Sequence, residues 1–289
     1  MSSVPGLPTL PEETVVKRRP RRAAYALPTL FTSGNIFLGF LAVLQAFEGA
    51  LQARGGDFGS NPHFAIAAKA LGIAVFFDGL DGRIARMTNT VSDFGRELDS
   101  MADVVTFGIA PAVLAFVWGV FFVISPEGSQ LLSHLIRAGY VVVFFYLLCG
   151  AVRLARFNVQ TNPKPKNPGR PDRKYFVGMP IPAGAGVLAA VVHSEAGSPV
   201  HEVWASVAWI ALVAFTGFLM VSSWRFWSGK EIDFSSRRPG RLLVLLMVLL
   251  AVVFEWHRYA LIVIAMAYLV SGVFARLAYS WKRRSARTA

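Results

Sequence analysis

The chain has 289 residues, of which 54% are hydrophobic and 16% charged, with a formal net charge of +12. A chain this apolar excludes a soluble enzyme. Its cations sit at the ends of apolar runs, with no basic soluble domain to carry them, which excludes nucleic acid as a partner and points to anionic lipid headgroups.

Residues 1–27 are polar, proline-containing and basic through KRRPRR at 17–22. They read as a disordered cytoplasmic tail without a cleavable signal, because the apolar run that follows is too long for a signal core. Apolar runs then come at about 28–50, 63–86, 94–123, 132–157, 179–194, 203–222, 241–255 and 258–280, the fifth and seventh short, before a basic tail at 281–289. Most reach the roughly 20 residues that cross a bilayer. Backbone polar groups find no water in hydrocarbon, and no run alternates like a barrel strand, so the expected fold is all-α: a polytopic bundle of about eight transmembrane helices over 28–280.

Charge orients the bundle. Apart from Arg54, Lys69, Arg137 and Arg258, all 29 Lys and Arg residues fall in the termini and the even-numbered connections. The positive-inside rule places that side in the cytoplasm, with both termini and the proline- and lysine-rich loop at 158–178, in a protein of the cell membrane. In that loop Lys164, Lys166, Arg170 and Lys174 read as a collar facing headgroups. The five histidines, His63, His134, His193, His201 and His257, fall at the opposite ends of the spans and read as interfacial, as do most of the seven tryptophans. Cys149, the single cysteine, lies within an apolar run and reads as a packing residue.

One stretch breaks the apolar pattern: FDGLDGRIARMTNTVSDFGRELDSMAD, 77 to 103, where the second and third spans meet on the cytoplasmic side. Asp78 and Asp81 share a helix face, and so do Asp99 and Asp103. Two helices joined by a short turn can aim all four carboxylates at one another, where unpaired charges would repel. Metal is the natural counter-charge, and oxygen-only donors favour Mg²⁺ or Mn²⁺. Two divalent ions would neutralise the four carboxylates and leave coordination positions open to substrate phosphates. The alternative, solvated helix ends paired to Arg83, Arg86 and Arg96, does not need the small residues Gly82, Ala85 and Gly95 interleaved with the acids. Arg86 has the planar fork that suits a phosphate oxygen.

Asp78-x2-Asp81-Gly82-x2-Ala85-Arg86-x8-Gly95-x3-Asp99-x3-Asp103 resembles the motif of the CDP-alcohol phosphatidyltransferase family. That resemblance implies an enzyme that transfers a phosphatidyl or similar group from a CDP-linked lipid to an alcohol and releases CMP. It implies that Asp78, Asp81 and Asp99 bind one metal, that Asp78, Asp99 and Asp103 bind a second, and that Asp103 accepts the proton. Gly82, Ala85, Arg86 and Ser92 then match positions that hold the CDP moiety. Pro28, Thr32 and Asn35 in LPTLFTSGN resemble the family's first-helix pattern, with Thr29 where an Asn is common, and add Asn35 to the CDP-lipid contacts.

RLARFN, YFVGMPIPAG and FLMVSSWRFWS resemble the phosphatidylserine synthase branch of that family, with Met179 where Leu is frequent. The branch implies CDP-diacylglycerol as donor and L-serine as acceptor. Arg153 and Arg156 share a face at the end of the fourth span and, with Asn158, offer partners for the serine carboxylate. Glycerol 3-phosphate or inositol phosphate as acceptor, and a metal transporter built on the same aspartates, are the competing readings. A homodimer is compatible with all of these.

Overall fold

The structure is a computed structural model that describes residues 22–56, 59–87, 93–124, 129–161, 175–227, 247 and 255–288. The first two apolar runs form an antiparallel hairpin of α1 (Arg22–Ala53) and α2 (Pro62–Met87). Ala42, Ala46 and Ala53 on one helix and Ala67, Ala70 and Ala74 on the other are buried. Small side chains let two helices approach closely where lipid offers no hydrophobic drive to associate them. Asn61 closes the hairpin at the end away from the aspartates. Its Oδ1 accepts the N–H groups of His63 (3.1 Å) and Phe64 (3.3 Å), capping α2, and its Nδ2 donates to the Gly49 carbonyl of α1 at 3.0 Å.

The third run is one rod in three parts: α3 (Asp93–Asp103), a π-helical segment (Val104–Ile109) and α4 (Ala110–Gly119). Pro111 explains the interruption. It has no N–H to give the Phe107 carbonyl four residues back, and its ring crowds that carbonyl, so the chain opens to i→i+5 bonding, with Ala110 N–H donating to Val105. The Phe107 carbonyl takes a hydrogen bond from the buried Tyr146 hydroxyl of the next helix at 3.0 Å. At the far end the Ala115 and Gly119 carbonyls accept from Trp209 Nε1 (2.9 Å) and Ser206 Oγ (2.7 Å), which satisfies groups that a helix terminus otherwise leaves orphaned.

Among the described residues four more helices follow: α5 (Ser129–Thr161), α6 (Ile181–Ser194), α7 (Val203–Val221) and α8 (His257–Thr288). Among the described residues, five helical stretches are long and apolar enough to cross a membrane: Thr29–Ala53, Pro62–Leu80, Phe94–Gly119, Gln130–Val159 and Val203–Val221. The protein is therefore a multi-pass, all-α membrane protein. The expected 179–194 and 258–280 spans correspond to shorter apolar stretches, Ile181–Ser194 and Arg258–Phe274. The expected 241–255 span lies outside the described residues, except at Met247 and Glu255. At about 1.5 Å per residue α6 is short of the bilayer's hydrocarbon thickness. It is nonetheless sheathed by protein, with Ala185, Val187, Leu188 and Val192 buried.

Two readings are corrected. The expected loop at 158–178 ends in a strand, and the bundle carries a small antiparallel ladder: β1 (Tyr175–Val177) pairs with β2 (Arg225–Trp227), Phe176 opposite Phe226. Gly178 ends β1 with φ +78°, where its N–H donates to the Trp224 carbonyl at 2.7 Å and a Cβ would run into the Met220 carbonyl oxygen. His193 is not interfacial but buried, at the end of α6 that the short helix draws into the bundle. Two of the seven tryptophans, Trp118 and Trp209, are buried instead, their rings edge to face at 4.9 Å. Cys149 is a buried thiol, as a packing residue should be.

Candidate active site

The aspartate cluster is built where α2 and α3 both pack against α1. Asp78 lies on the last turns of α2, and Asp99 and Asp103 lie one turn apart on α3. One carboxylate oxygen from each of Asp78, Asp99 and Asp103 falls within 4.8 Å of the others. Asp78 is within hydrogen-bonding reach of Asp103 and feels the charge of Asp99. Asp103 is 8% exposed, and Asp99 Oδ1 is buried with no hydrogen-bond partner. Three carboxylates drawn together with a buried acceptor left open form a donor set that fits a hard divalent cation, which would offset their repulsion.

A second open polar group lies where α1 meets the segment just past Asp103. Asn35, on α1, is 0% exposed, and neither its Oδ1 nor its Nδ2 has a partner. Its backbone carbonyl accepts from Thr106 Oγ1 at 3.0 Å, which fixes α1 against the π segment just past Asp103. Gly39, one turn on, allows this contact, since a Cβ there would lie 2.7 Å from the Thr106 Cα. A primary amide sealed from water without partners is costly, and a ligand entering beside the carboxylates would supply what it lacks.

A family model described as CDP-alcohol phosphatidyltransferase matches residues 25–213. The chain belongs to that family. A CDP-diacylglycerol–serine O-phosphatidyltransferase of Helicobacter pylori is 33% identical over 254 residues, 88% of this chain and 92% of its own. A Saccharomyces cerevisiae protein of the same description is 33% identical over 159 residues, 55% of this chain and 50% of its own. An archaetidylserine synthase of Methanothermobacter thermautotrophicus is 34% identical over 167 residues, 57% of each chain.

For a CDP-alcohol phosphatidyltransferase, the expected site residues are only partly in view. Asp78, Asp99 and Asp103 converge. The side chains of Asp81, Ala85 and Arg86, the surroundings of Gly82, and all of Ser92 lie outside the described residues. The three residues expected at the acceptor differ from one another. Arg153, half-buried on α5, donates from Nη1 to the Val177 carbonyl of β1 at 2.6 Å. Arg156 is exposed. Asn158 uses Nδ2 on Ser100 Oγ at 2.8 Å, and Ser100 Oγ donates to the Arg96 carbonyl at 3.0 Å. The Asn158 amide nitrogen therefore ties α5 to α3 beside Asp99.

Two contacts fix the level of Arg153. Ser100 meets Asn158 and Phe107 meets Tyr146, so the two rods run antiparallel and Asp103 falls opposite the stretch that holds Arg153. Sequence reasoning missed Ser100, Thr106 and Tyr146, hydroxyls that hold the rods in this register. Pro111 was the available signal, because a proline eight residues past Asp103 inside an apolar run announces a carbonyl in need of an outside donor.

Proposed function

We propose that the chain transfers the phosphatidyl group of CDP-diacylglycerol to the hydroxyl of L-serine, giving phosphatidylserine and CMP, at the cytoplasmic face of the cell membrane. The observation that carries this is the convergence of Asp78, Asp99 and Asp103 within a family whose relatives of matching length are described as serine phosphatidyltransferases.

Asp78, Asp81, Asp99 and Asp103 would hold two divalent cations, Mg²⁺ or Mn²⁺. Such ions stabilise charge on phosphoryl oxygens and on a departing phosphate. Gly82, Ala85 and Arg86 hold the CDP moiety with Ser92, and the Asn35 amide closes its inner side. Asp103 takes the proton of the serine hydroxyl as it attacks the β-phosphoryl. Arg153, level with Asp103, receives the serine carboxylate, and Arg156 adds positive charge from the cytoplasmic side. Residues 28–280 form the membrane domain in this reading.

Purified protein in lipid vesicles should release CMP from CDP-diacylglycerol when serine is present and place labelled serine in lipid. CMP release with glycerol 3-phosphate or inositol phosphate, but not with serine, would move the acceptor assignment. Ion flux without CMP would return the aspartates to a transport role.

The topology is tested separately. A cysteine at Lys166, in a Cys149→Ala background, should resist an impermeant maleimide added to intact cells and react fully after lysis. Labelling of intact cells would invert the orientation and separate this loop from the proposed cytoplasmic site.

A further inference from the structure

The segment beyond residue 213, where the family match ends, returns to the acceptor side of the site. β2 pairs with β1, and β1 carries the Val177 carbonyl that Arg153 holds. From β2 the Phe226 side chain is fully buried against α8, its ring 5.7 Å from that of Tyr268 and seated over Gly272, where a Cβ would overlap it. This wedge, with packing of α8 on α6, sets the rotation of α8. It turns the half-buried Tyr268 phenol into electrostatic reach of the Arg153 guanidinium.

We propose that the C-terminal helix completes the acceptor pocket, with Tyr268 as a positioning residue that holds the Arg153 guanidinium in the plane that receives the acceptor's carboxylate. The inference rests on the acceptor role given to Arg153 above. A guanidinium is a flat fork of five N–H donors. One donor is held by the Val177 carbonyl, and the β1–β2 ladder with the Phe226–Tyr268 contact brings the phenol to the same side, so the fork is constrained from two directions. Arg156, whose charge Arg153 also feels, would otherwise push the fork aside, and the phenol oxygen opposes that push. A carboxylate is bound best by a fork already oriented for two parallel hydrogen bonds.

Tyr268→Phe tests this, because it keeps the ring against Phe226 and removes only the oxygen. The expected result is a KM for serine raised about tenfold, the scale of one hydrogen bond to a charged group, with the KM for CDP-diacylglycerol within about twofold of wild type. In an Arg153→Lys background the same change should add less than about twofold, since its partner is already gone. If Tyr268→Phe does not accumulate as folded protein, Tyr268→His, which keeps a polar ring, should give the same split in smaller measure. An unchanged serine KM, an equal rise in both KM values, or full additivity with Arg153→Lys would overturn the inference alone. A wild-type enzyme that uses another alcohol and ignores serine would overturn the acceptor reading first, before any variant is made, and the inference with it.

Discussion

Replacing Asp99 or Asp78 by Asn should abolish CMP release while the protein stays folded. Asn has the shape of Asp but neither its charge nor its second acceptor, and the buried Asp99 Oδ1 is the oxygen left open for a ligand. Loss of a group merely supporting a metal ligand costs about 10- to 100-fold in affinity or activity, so loss of a ligand itself should cost on the order of 10²-fold or more. Stability moves the other way. Asp78, Asp99 and Asp103 crowd like charges into one place, so removing one in metal-free buffer leaves the Tm unchanged or raised. Mg²⁺ or Mn²⁺ should raise the Tm of the wild type and much less that of Asp99→Asn, by the linkage that makes any ligand of the folded state stabilise it. EDTA should stop turnover and excess Mg²⁺ restore it. Full turnover after exhaustive chelation, or by either variant, would remove the metal from the mechanism.

Asp103→Asn should separate binding from chemistry. Asp78, Asp81 and Asp99 remain to hold the donor, so CDP-diacylglycerol still binds, while turnover falls by on the order of 10²-fold or more, the scale of a positioned proton acceptor. Equilibrium binding of the donor measured beside CMP release distinguishes this from a lost ligand, which would weaken both. Near wild-type turnover at every pH would leave the serine proton to another group.

Much of this was legible because it rests on local spacing. The four aspartates and their interleaved small residues announce both helices and the face that joins them, and three of the carboxylates meet as that spacing requires. The long apolar runs announce the membrane helices for the same reason. What was not legible depends on partners far apart in the chain. The bond from the Asn158 amide to Ser100 spans 58 residues. The β1–β2 ladder joins two three-residue strands, too short to show a period of two. His193, Trp118 and Trp209 follow the rule for interfacial residues in sequence, yet α6 is short enough for its end to lie within the bundle, and Trp209 finds a carbonyl there. Pro111 could have been read, since a missing N–H has a known address four residues upstream.

The π segment has a consequence for how this rod can change over time. Its i→i+5 bonding takes in one residue more than the α-helix on either side, and each residue advances an α-helix by about 100°. The carboxylates of α3 and the packing surface of α4 are thus set out of phase by design of the chain, each aimed at its own neighbour. Deleting a single residue between 104 and 109 would swing one half against the other like a misaligned crankshaft, and could not be compensated by any substitution that keeps the aspartates in place. The rod therefore tolerates exchanges of side chains far better than changes of length.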